Sequence, residues 1–355
     1  TEQIHRFAGL GVGLASVAAE HVLSHPCIVL RRQCQVHHDS KWYHLTPFSL
    51  FQTLYYMHRH QSLTSLWKGL SSSLMVKGMQ VASETVISEV TPLPREITRH
   101  SSIKKVAQHL LLKGLGFVVT CPFYASSLVE TVQSEIASER PGLFDCAREG
   151  LARLRSLSTP QVTRQLPIWK VLGPYVLYGT GYYILSSMAQ YTALVSLRTD
   201  LGEEQSKSPA MTSIYYPELI ATFTGCLLAD IAMFPFETVL HRLLLQGTRT
   251  IIDNTDTGQS VVPIVTRYEG FVDCFKSIIV DEGFAGLYKG FGSLIIQYAC
   301  HAAILKITKV LFDAITNQMK APRPVIPTPR PSMPAPPGFQ AGHEYPPHIP
   351  QPKLH

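Results

Sequence analysis

The chain reads as an all-α membrane protein, with six transmembrane helices in three pseudo-symmetric two-helix repeats and short helices along the surface. Three observations predict this fold class. The first is a repeat: hydrophobic runs end at Pro26, Pro122 and Pro235, and a hydrophobic–aromatic–lysine element follows each. Those elements are Leu66-Trp67-Lys68-Gly69, Ile168-Trp169-Lys170 and Leu287-Tyr288-Lys289-Gly290, with the aromatic 41, 47 and 53 residues after its proline. A fixed period marks units that bury their apolar faces only by packing against their copies. The second is composition. Hydrophobic residues make up 45% of the 355 residues and charged residues 16%, against roughly 25% charged in soluble domains. The third is a set of six apolar stretches, each near the roughly 20 residues a helix needs to cross a bilayer.

These stretches run from about Phe7 to Val29, Leu70 to Val90, Val106 to Val129, Ile168 to Leu197, Leu219 to Leu240 and Phe291 to Ile315. The odd ones carry small residues: Gly9, Gly11, Gly13 and Ala15, then Gly114 and Gly116, then Gly225 and Ala229. Such faces let helices approach closely where lipid supplies no hydrophobic drive. Each odd stretch reaches its proline, which lacks the backbone N–H and kinks a helix that continues past it. Glu20, His21, Lys77, Glu84, Lys113, Asp230, His301 and Lys306 interrupt the apolar runs. Intramembrane ionisable groups face a bundle interior or snorkel to its ends. Lys113 and Lys306 fit snorkelling, while Lys77, Glu84, Asp230 and His301 form a possible polar cavity for a lipid headgroup or small anion, or simply internal packing polarity.

Polar segments with amphipathic character join the stretches. Phe271, Cys274, Phe275 and Ile278 recur at helical spacing, so this short segment reads as a surface helix. Residues 249–263 read as a polar loop rich in Asp, Thr and Gly. The repeats divide at 1–100, 101–205 and 206–320, followed by a Pro-rich tail over 321–355. Twelve prolines between Pro322 and Pro352 leave too little apolar surface to fold, so the tail reads as disordered. Its P-x-x-P spacings arise by composition. The chain opens with Thr1-Glu2-Gln3, leaving room for a preceding segment, and its start reads neither as a secretory signal nor as a transit peptide.

The seven cysteines form no C-x-x-C pair, which points to free thiols in a reducing compartment rather than disulfides or a zinc ribbon. His37-His38-Asp39 has metal-ligand residue types but reads as loop decoration. No Walker A, G-x-S-x-G or H-E-x-x-H occurs, so no enzyme, metal or cofactor is expected. The net charge of +6 suits anionic lipid or an anionic ligand. The basic residues lack the aromatic interleaving of a nucleic-acid surface.

At these motifs the chain resembles the mitochondrial carrier family over about residues 5 to 315. The family pattern P-x-[DE]-x-x-[KR]-x-[KR]-x-Q closes each odd helix, and E-G and aromatic-[KR]-G follow. Repeat three matches best, with Pro235-Phe236-Glu237, Asp281-Glu282-Gly283 and Leu287-Tyr288-Lys289-Gly290. The acidic positions hold Ile28, Tyr124 and Glu237; the first cation positions hold Arg31, Ser127 and Leu240; the second hold Gln33, Val129 and Arg242. In working carriers each acid pairs with the first cation of the next repeat to close a threefold gate. The resemblance therefore implies that Ile28–Ser127 and Tyr124–Leu240 form no ion pair and that Glu237–Arg31 survives, either as a structural pair or as a latch. Arg242 is a further gate candidate. The opposite gate is also eroded: Phe312-Asp313 lacks its cation and Tyr191-Thr192 its acid.

His5-Arg6-Phe7-Ala8-Gly9, the segment from His25 to Gln35, Phe234 to Leu243, and Thr248 to Asp256 resemble a divergent outer-mitochondrial-membrane branch of that family. The resemblance implies a non-transporting adaptor of the outer membrane. It would act in fission–fusion balance, cristae organisation and lipid homeostasis, through the mitochondrial fusion machinery, the cristae-organising complex and membrane lipids. Two alternatives stay open: a divergent carrier of a small anionic metabolite, with the inner membrane as alternative location, and a lipid-transfer or scrambling element. The Pro-rich tail has no counterpart in the family.

Overall fold

In the computed structural model the repeat prolines lie inside helices rather than at their ends. The structure describes residues 21–320 apart from 61, 98–100, 137–141, 143, 156–165 and 202–210. The glycines of the first stretch and the Pro-rich tail lie outside the described residues. Helix α1 is described over residues 21–36 and contains Pro26. Pro122 lies within α4 (Ile103–Val132), and Pro235 within α7 (Met211–Leu245). Nearby hydroxyls use the local carbonyls: Ser126 Oγ donates to Pro122 O at 3.1 Å, and Thr238 Oγ1 to Phe234 O at 3.1 Å.

The other long helices are α3 (Leu70–Val90), α6 (Ile168–Leu201) and α9 (Phe291–Lys320). All six apolar stretches are thus helical where described. Among the described residues, three segments are long and apolar enough to cross a membrane: Ile103–Val132, Tyr216–Leu245 and Phe284–Leu311. Helices α3 and α6 have the length, but serines and charges in α3, and tyrosines and glycines in α6, dilute their hydropathy. Exposed apolar side chains such as Leu111, Val119, Leu228, Ile307 and Val310 line the outer faces.

Short helices α2 (Pro47–His60), α5 (Asp145–Arg155) and α8 (Phe271–Glu282) lie between the long ones. Single 3-10 turns at Leu63–Trp67 and Phe284–Tyr288 lead into α3 and α9. The α8 face is as its spacing predicts: Cys274 and Ile278 are buried, and Phe271 and Phe275 pack on Val239 and Leu287. All seven cysteines are free.

The polar loop is a correction. Residues Ile251–Asp253 (β1) and Val261–Pro263 (β2) form an antiparallel hairpin, with Ile252 opposite Val262. Ile252, Asp253 and Thr255 are buried. The hairpin completes the main apolar core at the C-terminal ends of α1, α4 and α7. There Ile252 joins Val36, Leu128, Val132, Leu240, Leu244 and Tyr175.

Candidate functional site

The C-terminal ends of α1, α4 and α7 each expose carbonyls that no further helical turn can satisfy. Polar side chains from neighbouring repeats fill that role and build a layered site.

The innermost layer contains the predicted pair. Arg31 Nη2 lies 3.3 Å from Glu237 Oε1, with both side chains buried. Gln35 Nε2 donates to Glu237 Oε2 at 3.0 Å. The Gln35 oxygen then accepts from His241 Nδ1 at 2.7 Å, which leaves His241 Nε2 to accept from the Tyr124 hydroxyl at 2.8 Å. Tyr124 is the residue at the second acidic position. Its partner is His241, one residue beyond the expected cation position at Leu240. An uncharged hydrogen bond thus stands where an ion pair is absent. Ser127 bonds Ser72 Oγ at 3.1 Å, and Arg32 Nη1 donates to Thr131 Oγ1 at 3.0 Å.

A second layer forms around Glu282. Arg242 engages it through both terminal nitrogens, with Nη2 3.0 Å from Oε2, while its Nε donates to Gln35 O at 2.8 Å. Arg242 is thus a clasp within repeat three that also closes the end of α1. Lys289 Nζ bonds Glu282 Oε2 at 2.7 Å and donates to His37 O and His38 O at 3.0 and 2.9 Å. Burial raises the Glu282 carboxyl, but the Arg242 and Lys289 contacts outweigh it and hold the group below the usual carboxylate range.

The hairpin builds the third layer. Asp253 Oδ2 accepts from Lys68 Nζ at 2.9 Å and from Gln33 Nε2 at 2.8 Å. Lys68 also donates to Gln133 O at 2.8 Å, just beyond α4. Ser134 N donates to Ile251 O at 2.8 Å, so repeat two adds backbone to the hairpin. Thr255 Oγ1 meets His37 Nδ1 at 2.7 Å, and Thr255 O accepts from Thr53 and His44. His37 is therefore no loop decoration: burial depresses its ring pKa to about 4 and keeps it neutral. Burial also lowers Lys68 against the opposing pull of Asp253.

Two glycines make the lysine positions possible. Gly69 and Gly290 hold φ of +68° and +83°, the left-handed region that suits glycine. A Cβ at Gly290 would stand 2.8 Å from the Cys34 Cβ.

The four candidate cavity residues are only partly gathered. Asp230 accepts from the Tyr298 hydroxyl at 2.6 Å and lies 3.9 Å from Arg31 Nη1; the His301 ring sits 5.2 Å from that of Tyr298. Glu84 is elsewhere, bound to Lys113 at 2.6 Å and to Gln80. Lys113 therefore pairs inside the bundle rather than snorkelling. Lys77 is exposed, 3.1 Å from His21 Nδ1, and Lys306 is exposed. Among the described residues, no group of three or more His, Cys, Asp or Glu is placed to hold a metal.

Gln35 is the glutamine that closes the family pattern in repeat one, while His241 and Asp253 complete the site from positions that the pattern does not mark. A signal existed for Asp253, since Ile251-Ile252 and Val261-Val262 flank a turn-rich Asn254–Ser260 segment, a hairpin pattern.

Comparison with known proteins places this arrangement. The family described as mitochondrial carrier protein matches residues 3–91 and 213–318. The segment between these matches holds Tyr124, Ser127 and Val129, the most eroded set of motif positions. The human mitochondrial outer membrane protein SLC25A46 is 48% identical over 320 residues, covering 89% of this chain and 77% of its own. The protein of the same name from Gallus gallus is 48% identical over 323 residues, covering 90% and 79%. Solute carrier family 25 member 46 of Xenopus tropicalis is 46% identical over 321 residues, covering 89% and 77%.

Proposed function

We propose that this chain, which belongs to the mitochondrial carrier family and is a protein of the mitochondrial outer membrane, uses a six-span, three-repeat carrier shell as a non-transporting, non-enzymatic adaptor. It binds other membrane proteins, among them the fusion machinery and the cristae-organising complex, and regulates fission–fusion balance, cristae organisation and lipid homeostasis.

One observation carries the non-transporting reading: the β1–β2 hairpin bonds repeat one and repeat two at once, across the end where a carrier gate would part. Asp253 takes Lys68 and Gln33 from repeat one, and Ile251 takes Ser134 from repeat two. An alternating carrier needs two states balanced within a few kcal/mol. Opening here would break Lys68–Asp253 and Arg31–Glu237 together, and each disrupted buried pair costs about 3–5 kcal/mol. The bonds of Thr255 and Ser134 add about 1 kcal/mol each.

Purified protein in vesicles tests the reading directly. No saturable, counter-substrate-stimulated flux of metabolites is expected; such flux would overturn the proposal. A second reading, a carrier of a small anionic metabolite, rests on Arg31. Its Nε and Nη1 are buried without a hydrogen-bond partner among the described residues. A metabolite that selectively raises thermal stability, and loses that effect in Arg31→Gln, would favour it. Lipid movement that persists in Glu237→Ala would instead favour a scrambling element.

A further inference from the structure

A cavity of about 850 Å³ opens beside the layered site. Three walls enclose it: the end of α4, one face of α5, and the turn at residues 247–249 that leaves α7 for β1. It therefore lies between repeat two and repeat three. Its volume falls within the roughly 300–1,000 Å³ typical of ligand sites.

The charges on its walls divide into those with partners and those without. Arg153 faces Glu149 at 3.7 Å. Asp145 accepts from Gly142 N at 2.6 Å and so holds the start of its own helix. Glu130 lies beside the Ser72 hydroxyl. Arg148 and Arg249 are exposed, and neither guanidinium holds an ion pair or hydrogen bond among the described residues. They stand on different walls, one from each repeat. The uncommitted charge of the cavity is thus positive and spread across its width.

The backbone at Arg249 is a second observation. Among the described residues only His44 and Arg249 hold positive φ without being glycine, at +48° and +55°. A β-carbon makes that region costly. His44 is held there by ring bonds to Ser49 and Thr255. Arg249 has no such tether among the described residues, so a strained turn delivers its guanidinium to the cavity. Outliers of this kind cluster at ligand clamps.

Apolar side chains flank the opening. Phe144 is 78% exposed and directly precedes Asp145; Ile136 is 55% exposed and follows Gln133 by three residues. Phenylalanine and arginine are enriched where proteins meet, and arginine supplies many of the residues that dominate affinity there. A compact polyanion would press on Glu130 and Asp145 as well as on the arginines. An extended chain avoids that conflict, because its carboxylates can reach Arg148 and Arg249 while its backbone N–H groups donate to the two acids.

We infer that this cavity docks an acidic, extended segment of a partner protein, with carboxylates on Arg148 and Arg249. The inference deepens the adaptor reading and rests on it for the kind of ligand. Solute flux would sink that reading, whereas the measurement below addresses the cavity alone.

The full chain in phosphatidylcholine nanodiscs is titrated against a short fluorescent glutamate-rich peptide with one central phenylalanine, and anisotropy reads the binding. Binding is expected, weakening as salt is added. Arg148→Ala and Arg249→Ala should each reduce affinity about tenfold, the loss of one charge-assisted contact. Both positions are exposed, so melting temperatures should not move. Arg267→Ala removes the same charge at an exposed position outside the cavity and should leave binding unchanged. The inference fails if the peptide does not bind, if both arginine variants bind it like the wild type, or if a glutamine counterpart binds equally well. It fails also if inositol hexakisphosphate binds through both arginines and the peptide does not, which would make the cavity a phosphate site.

Discussion

All three motif lysines bond a carbonyl of the next repeat, two from buried positions and the third from an exposed one. Lys289 ends on the carbonyls that finish α1, and Lys68 on the carbonyl that follows α4. Lys170 is exposed and donates to Glu269 O at 3.0 Å, on the way into α8. The difference lies one residue downstream. Gly69 and Gly290 take a left-handed turn before α3 and α9 begin, which swings each lysine inward. Val171 follows Lys170, and α6 is already helical from Ile168. A β-branched residue resists the left-handed region, so the helix starts early and its lysine stays outside. The same two-residue motif thus gives a buried clasp or a surface contact, depending on its glycine.

Substitutions can break this contrast at graded cost. Arg31→Ala or Glu237→Ala strands a buried charge and should destabilise the protein by about 3–5 kcal/mol, read as lower melting temperature and lower abundance in mitochondria. The double charge swap should recover part of the loss. Lys68→Met leaves Asp253 without its cation and should cost about 3 kcal/mol; adding Asp253→Asn should recover part of it, a coupling of about 1–3 kcal/mol. Gly290→Ala forces a Cβ into the left-handed turn and against Cys34, and a loss of about 1–3 kcal/mol is expected in thermal unfolding.

Acid should act through the hairpin. His37 has a folded pKa of about 4 against an ordinary value of 6.5, so the unfolded chain binds its proton first. Its contribution is complete above pH 6.5 and declines as the pH falls from 6.5 to about 4. The slope is at most about 1.4 kcal/mol per pH unit. Melting temperatures across that range should fall less steeply in His37→Asn. The smallest effect is expected at the joint that lacks its glycine: Lys170→Ala should change stability by no more than about 0.5 kcal/mol.

Much of the helical framework was legible because long apolar runs and their prolines are local signals. The Arg31–Glu237 proximity was legible only through the resemblance to the carrier family, whose gate pairs these two motif positions. The rest depended on long-range closure. Tyr124 meets His241 across 117 residues, and Lys68 meets Asp253 across 185. The local hairpin pattern can place Asp253 beside a turn, but no short window shows that its partner is Lys68. Lys113 reads as snorkelling for the same reason: its partner Glu84 lies on the preceding helix, 29 residues away.

The Lys68–Asp253 contact also sets an order of events during synthesis. Gln33, Lys68 and Gln133 emerge long before residue 253, so repeats one and two are made with their shared seam unfinished. Only when the last third of the chain arrives does that seam acquire its carboxylate. A product truncated before residue 251 would lack that carboxylate and keep, of the Lys68 acceptors described above, the Gln133 carbonyl.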